Sequence, residues 1–130
     1  MKLQIFNTQN TQTRQQLKSM IGIDFKTGVF RISKTACEYI GLRKGNQIEF
    51  AYDESEKQWY VTKVETNGFE LREGTASSGL LFNNIAMSEK IKITTDFIER
   101  SGKCLVGSEP ITYSDKRKFF PVITASLKNN

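Results

Sequence analysis

Between Gln47 and Val64 the chain alternates apolar and polar residues twice. In the first run Ile48 and Phe50 oppose Gln47, Glu49 and Ala51; in the second Trp59, Val61 and Lys63 oppose Tyr60, Thr62 and Val64. A period of two marks a strand with one buried face. The hydrophilic stretch Asp53-Glu54-Ser55-Glu56-Lys57 between the runs predicts the loop of a β-hairpin over 47–64. Its carboxylates lack the glycine and distal glutamate of a calcium loop, so they fit a solvated tip.

Upstream, Ile23–Phe25 and Val29–Ile32 have strand character and flank a turn at Lys26-Thr27-Gly28. The period then changes. Ala36, Cys37 and Ile40 suit a two-turn helix near 34–41, with Ser33 or Thr35 as its cap and Gly41 as its stop. Glu38 follows Thr35 by three, the spacing of a capping box. Near the start, Lys2–Phe6 has strand rhythm, and Leu17, Met20 and Ile21 before Gly22 fit a helix over about 11–21. The pattern continues past 65 with short strands at 69–71, 80–82, 103–107 and 119–125. Asn83 or Asn84 suits a helix cap, yet Lys90–Thr94 also alternates like a strand, so periodicity leaves 85–94 open between the two. The end, Lys128-Asn129-Asn130, is expected to fray. Nothing between 65 and 80 has the composition of a linker. The expectation is a single α+β domain, mostly antiparallel β: a strand–helix–hairpin unit over 22–64 and a β-rich extension over 65–125.

The stretch from Gly28 to Phe50 carries a grammar: strand, short helix, Ile40-Gly41-Leu42 corner, Lys44-Gly45-Asn46 turn, amphipathic hairpin. It resembles the swapped-hairpin DNA-binding regulators of the AbrB/MazE-like class over about 22–64. That resemblance implies DNA binding and an interleaved homodimer, because one such unit is too small to bury its own apolar face. The residues after 65 offer a second way to supply that cover. Ser33 stands where the family has proline, and Cys37, Glu38 and Val29 stand where its DNA binders have arginine. The basic residues that remain are Arg31, Lys34, Arg43 and Lys44.

Composition narrows the chemistry. The 130 residues include no histidine, which removes Ser-His-Asp and Cys-His catalysis and histidine acid–base work. Two cysteines, Cys37 and Cys104, cannot complete a tetrahedral zinc site and are expected as reduced thiols. No cofactor, metal site or catalytic residue is expected, and the protein is read as a non-enzyme. No apolar run approaches the ~20 residues of a membrane span, and the N-terminus lacks the apolar core of a secretory signal. A cytoplasmic protein without membrane contact is expected.

The net charge of +5 suits a polyanionic partner. Besides the four basic residues above, Lys116-Arg117-Lys118 lies beside Phe119 and Phe120 and combines phosphate neutralisation with rings for stacking. The simpler reading there is a solvated turn leading into a core strand. Trp59 and Tyr60, adjacent in a strand, must face opposite ways. The expected function is a small DNA-binding regulator that contacts phosphates through Arg31, Lys34, Arg43, Lys44, Lys116, Arg117 and Lys118. The alternative is a protein-interaction or assembly module, such as an accessory or inhibitor protein of a mobile element.

Overall fold

The computed structural model describes residues 3–4, 18–74, 79–112 and 116–129. Strands β1 (Met20–Asp24) and β2 (Val29–Ser33) form a tight hairpin. The Asp24 carboxylate closes its turn by accepting from the backbone N–H groups of Lys26 (3.0 Å) and Thr27 (3.2 Å). Gly28 ends the turn at φ +76°, and a side chain there would meet the backbone nitrogen of Ile85 at 2.6 Å. Glycine is required on both counts.

Helix α1 (Lys34–Ile40) follows β2 directly. Of the two caps the sequence offers, Ser33 takes the role: its Oγ accepts from Ala36 N at 3.2 Å. Gly41, at φ +81°, donates to the Cys37 carbonyl and stops the helix. Strands β3 (Gln47–Asp53) and β4 (Gln58–Val64) pair from Gln47↔Val64 to Asp53↔Gln58, the hairpin the alternation predicts.

Next come β5 (Phe69–Glu70), β6 (Arg72–Glu73) and β7 (Gly79–Asn83), followed by α2 (Ile85–Thr95). The open question at 85–94 resolves to helix. Asn84 Oδ1 accepts from Met87 N at 2.8 Å, and Ile91 is fully buried from the helical face. Strands β8 (Ser101–Val106), β9 (Ile111–Thr112) and β10 (Lys118–Ile123) precede a 3-10 turn over Thr124–Asn129.

Every strand pairing is antiparallel, and one path through the sheet runs β5-β3-β4-β10-β8-β1-β2-β7-β6, with β9 paired to β10 beside it. Its two ends are consecutive in sequence. Phe69–Glu70 pairs with β3, while Arg72–Glu73 pairs with β7. Between them Leu71 bonds the turn after α1, accepting from Gly45 N and donating to the Asn46 carbonyl, both at 2.9 Å. One short segment thus spans both free edges, and the sheet is nearly closed. Closure removes the exposed strand edges that invite aggregation.

The interior is rich in phenylalanine. Phe82 stacks on Phe30 (4.6 Å between centroids) and on Phe69 (4.7 Å), with Phe50 tilted against all three. Of the core expected around the corner, Ile32, Leu42 and Ile48 are buried, and Ile40 and Phe50 are half-buried against them. Trp59 is buried, and its indole N–H donates to Thr94 Oγ1 at 2.9 Å.

Three sequence expectations need correction. The helix over 11–21 is not present in its described part: Met20 and Ile21 begin β1, where Ile21 pairs with Ile32 and Cys104 and is fully buried. Two sheet neighbours outweighed one short amphipathic stripe; residues 11–17 lie outside the described ones. Leu3 and Gln4 form no strand, and the rest of the 2–6 prediction also lies outside. The 3-10 turn over Thr124–Asn129 buries Leu127, and Asn130 lies outside the described residues. The strand expected over 119–125 gives way to that turn at Thr124.

Candidate nucleic-acid interface

Strand alternation sends Ile21 and Ile23, Phe30 and Ile32, and Cys104 and Val106 inward, so the residues between them face outward. The register then places five outward residues in one row across five strands. Lys103 of β8 pairs with Gly22 of β1, and Gly22 pairs with Arg31 of β2. Arg31 pairs with Leu81 of β7, and Leu81 with Arg72 of β6. Directly opposed residues in an antiparallel pair share a face. Lys103, Arg31 and Arg72 therefore form a cationic ladder whose rungs are two strands, roughly 10 Å, apart. All three are exposed.

The spaces between rungs differ. Leu81, flanked by two arginines, is 8% exposed. Gly22 carries no side chain, and nothing lies within 4 Å of where a Cβ would stand. An open trough of about 760 Å³ results, lined by Gly22, Arg31 and Lys103 and ending near Asp24. Asp24 is already engaged. The Thr27 N–H does most to hold its carboxyl below the usual range; desolvation works the other way, and the Lys26 N–H and the Arg100 guanidinium, 3.8 Å away, add to the lowering.

The residues singled out from the sequence divide among several places. Arg31 stands in the middle of the ladder. Lys44 lines a second hollow of about 600 Å³ together with Arg72, Glu70, Phe69 and Phe82. Arg72 also donates to Asn83 Oδ1. Arg43 is exposed in the same turn as Lys44, and its backbone N–H bonds Asn46 Oδ1 at 2.7 Å. Lys34 is exposed at the first position of α1. Arg117 and Lys118 belong elsewhere, in a hollow of about 380 Å³ with Lys63 and Glu38. Arg117 pairs there with Glu49 at 3.5 Å and lies 5.1 Å over the Phe119 ring, while Lys116 is exposed at φ +68°.

Lys103 and Arg72 escaped the sequence reading. Lys103 carries the local signal of a cation between apolar or small neighbours, Gly102-Lys103-Cys104, as Arg31 does in Phe30-Arg31-Ile32, whereas Arg72, between Leu71 and Glu73, carries none. Their alignment is a property of register alone.

Elsewhere the chemistry is sparse. Among the described residues no three His, Cys, Asp or Glu side chains group to hold a metal. Cys37 and Cys104 are free and buried; burial raises both thiols, Cys104 to about 12, which disfavours the nucleophilic thiolate. No helix among the described residues is long and apolar enough to cross a membrane. Compared with protein-family models, curated proteins and solved structures, the chain matches none.

Proposed function

We propose that this chain is a non-enzymatic DNA-binding protein of the cytoplasm, a regulator that seats the phosphodiester backbone along the Lys103–Arg31–Arg72 ladder. The observation that carries this reading is the register itself, which lines up three exposed cations on alternate strands. Gly22 leaves room for a phosphate between two of them, and the net charge of +5 favours approach of a polyanion. The likeness of 22–64 to swapped-hairpin regulators supports the reading through the strand–helix–hairpin element alone, since Cys37, Glu38 and Val29 stand where those DNA binders have arginine. No aromatic side chain stands in the ladder row, so the reading favours backbone contact over base stacking.

Salt-titrated fluorescence anisotropy with duplex and single-stranded DNA tests it. On duplex, the slope of log affinity against log salt should flatten by about 0.9 for each of Arg31→Gln and Lys103→Gln. Binding that is absent at low salt, or a slope neither change alters, sinks the proposal.

A protein-interaction module is the second reading. Ile93 of α2 (75% exposed) and Ile98 just after it (85%) set two large apolar side chains on the surface near each other in sequence. A chain that ignores DNA at low salt would favour that reading.

A further inference from the structure

The element order of this chain occurs twice. The first unit is β1, β2, α1, β3 and β4; the second is the β5–β6 segment, β7, α2, β8 and β10. Within each unit the first two strands pair, and so do the last two. Every strand of the first unit then finds its other neighbour in the second: β1 with β8, β2 with β7, β3 with β5, β4 with β10. The β2–β7 and β4–β10 seams join equivalent strands, and β1–β8 is the counterpart of β3–β5. This is the pattern of two copies interleaved about a two-fold axis, here with both on one chain.

The units also share their interior. Phe30 of the first stacks on Phe82 of the second at 10° between planes, and their backbones are register partners. Trp59 bonds Thr94, Gln58 Nε2 donates to the Val122 carbonyl, and Thr62 Oγ1 to that of Lys118, all at 2.9 Å. A first unit standing alone would leave an open edge on each of its four strands.

We infer that the second half of this chain takes the place of a second copy, so that the protein acts as a monomer and one chain completes the basic ladder. The ladder crosses the seam: Gly22 and Arg31 come from the first unit, and Lys103, Leu81 and Arg72 from the second. Arg31 and Leu81 sit opposite each other at the middle of the β2–β7 seam. The equivalent positions of the two units thus carry a cation and an apolar residue, and the surface is one-sided. A homodimer, which the family resemblance implies, is not needed to close the sheet. The statement about the ladder rests on the DNA reading above; the statement about the monomer does not.

Two measurements on the full chain and one with DNA decide it. Sedimentation at micromolar concentration should give a single 14.9 kDa species. A protease site inserted between Thr66 and Asn67, in the connection joining the units, should be cleavable after folding with both pieces remaining one particle until denaturant is added. With a short duplex at saturation, one chain should bind per oligonucleotide. A dimer in the first measurement overturns the inference, as do pieces that part under native conditions in the second. Should the insertion impair folding, sedimentation of the unaltered chain still decides. Absence of DNA binding by a monomeric particle whose cleaved pieces stay together sinks the DNA reading alone; two chains per duplex from a monomeric protein sinks the one-chain site alone.

Discussion

Glycine has opposite roles at two positions of this chain. At Gly28 an added methyl collides with the start of α2, whereas at Gly22 it would enter open space between Arg31 and Lys103. Gly22→Glu is therefore expected to fold and to set a carboxylate between the two cations. DNA affinity at moderate salt should fall at least as far as with Arg31→Gln, while the melting temperature stays within a few degrees of the parent, since exposed substitutions usually change stability by no more than about 0.5 kcal/mol. Anisotropy and thermal melting check the two halves of that expectation. Retained affinity would remove Gly22 from the contact surface.

The two α-helices begin on different terms. Asn84 caps α2 with one bond to Met87 N, an ordinary N-cap contribution of about 1 kcal/mol. Ser33 does more than cap α1. Its hydroxyl accepts from Ala36 N and from Met20 N (3.0 Å), and it donates to the Lys18 carbonyl (3.0 Å). The same oxygen starts the helix and ties down the start of β1. Ser33→Ala also leaves a half-buried backbone N–H without this partner, so its cost should exceed that of Asn84→Ala, reaching about 2 kcal/mol. Urea denaturation of the two variants ranks them; an equal loss would mean that water replaces the Met20 contact.

For the molecule as a whole, interleaving predicts one unfolding transition. Neither unit can open without stripping a neighbour from every strand of the other, so Trp59 fluorescence, reporting the first unit, should coincide with far-ultraviolet dichroism, reporting both. Phe82 touches Phe30 and Phe50 of the first unit and Phe69 of its own. Phe82→Ala should cost about 3–5 kcal/mol and shift both signals together. Separate midpoints would show that the halves unfold as independent bodies.

Local rules were enough for the local elements. Alternation located the 47–64 hairpin, Gly41 marked the end of α1 while its cap stayed open between Ser33 and Thr35, and the absence of histidine removed whole classes of catalysis before any fold was known. These are facts of neighbouring residues, and sequence carries them directly. Met20 and Ile21 show where local rules stop: their spacing with Leu17 suited a helix, but pairing with β2 and β8 made them strand. Arg31 could be recognised as an outward cation, while its alignment with Lys103 and Arg72 depends on the register of four strand pairs joining residues far apart in the chain. The doubled architecture was hidden for the same reason. The two halves repeat an order of pairing with different residues, Arg31 against Leu81 and Ser33 against Asn84. Hydrogen bonds between backbones record that order, and side chains do not.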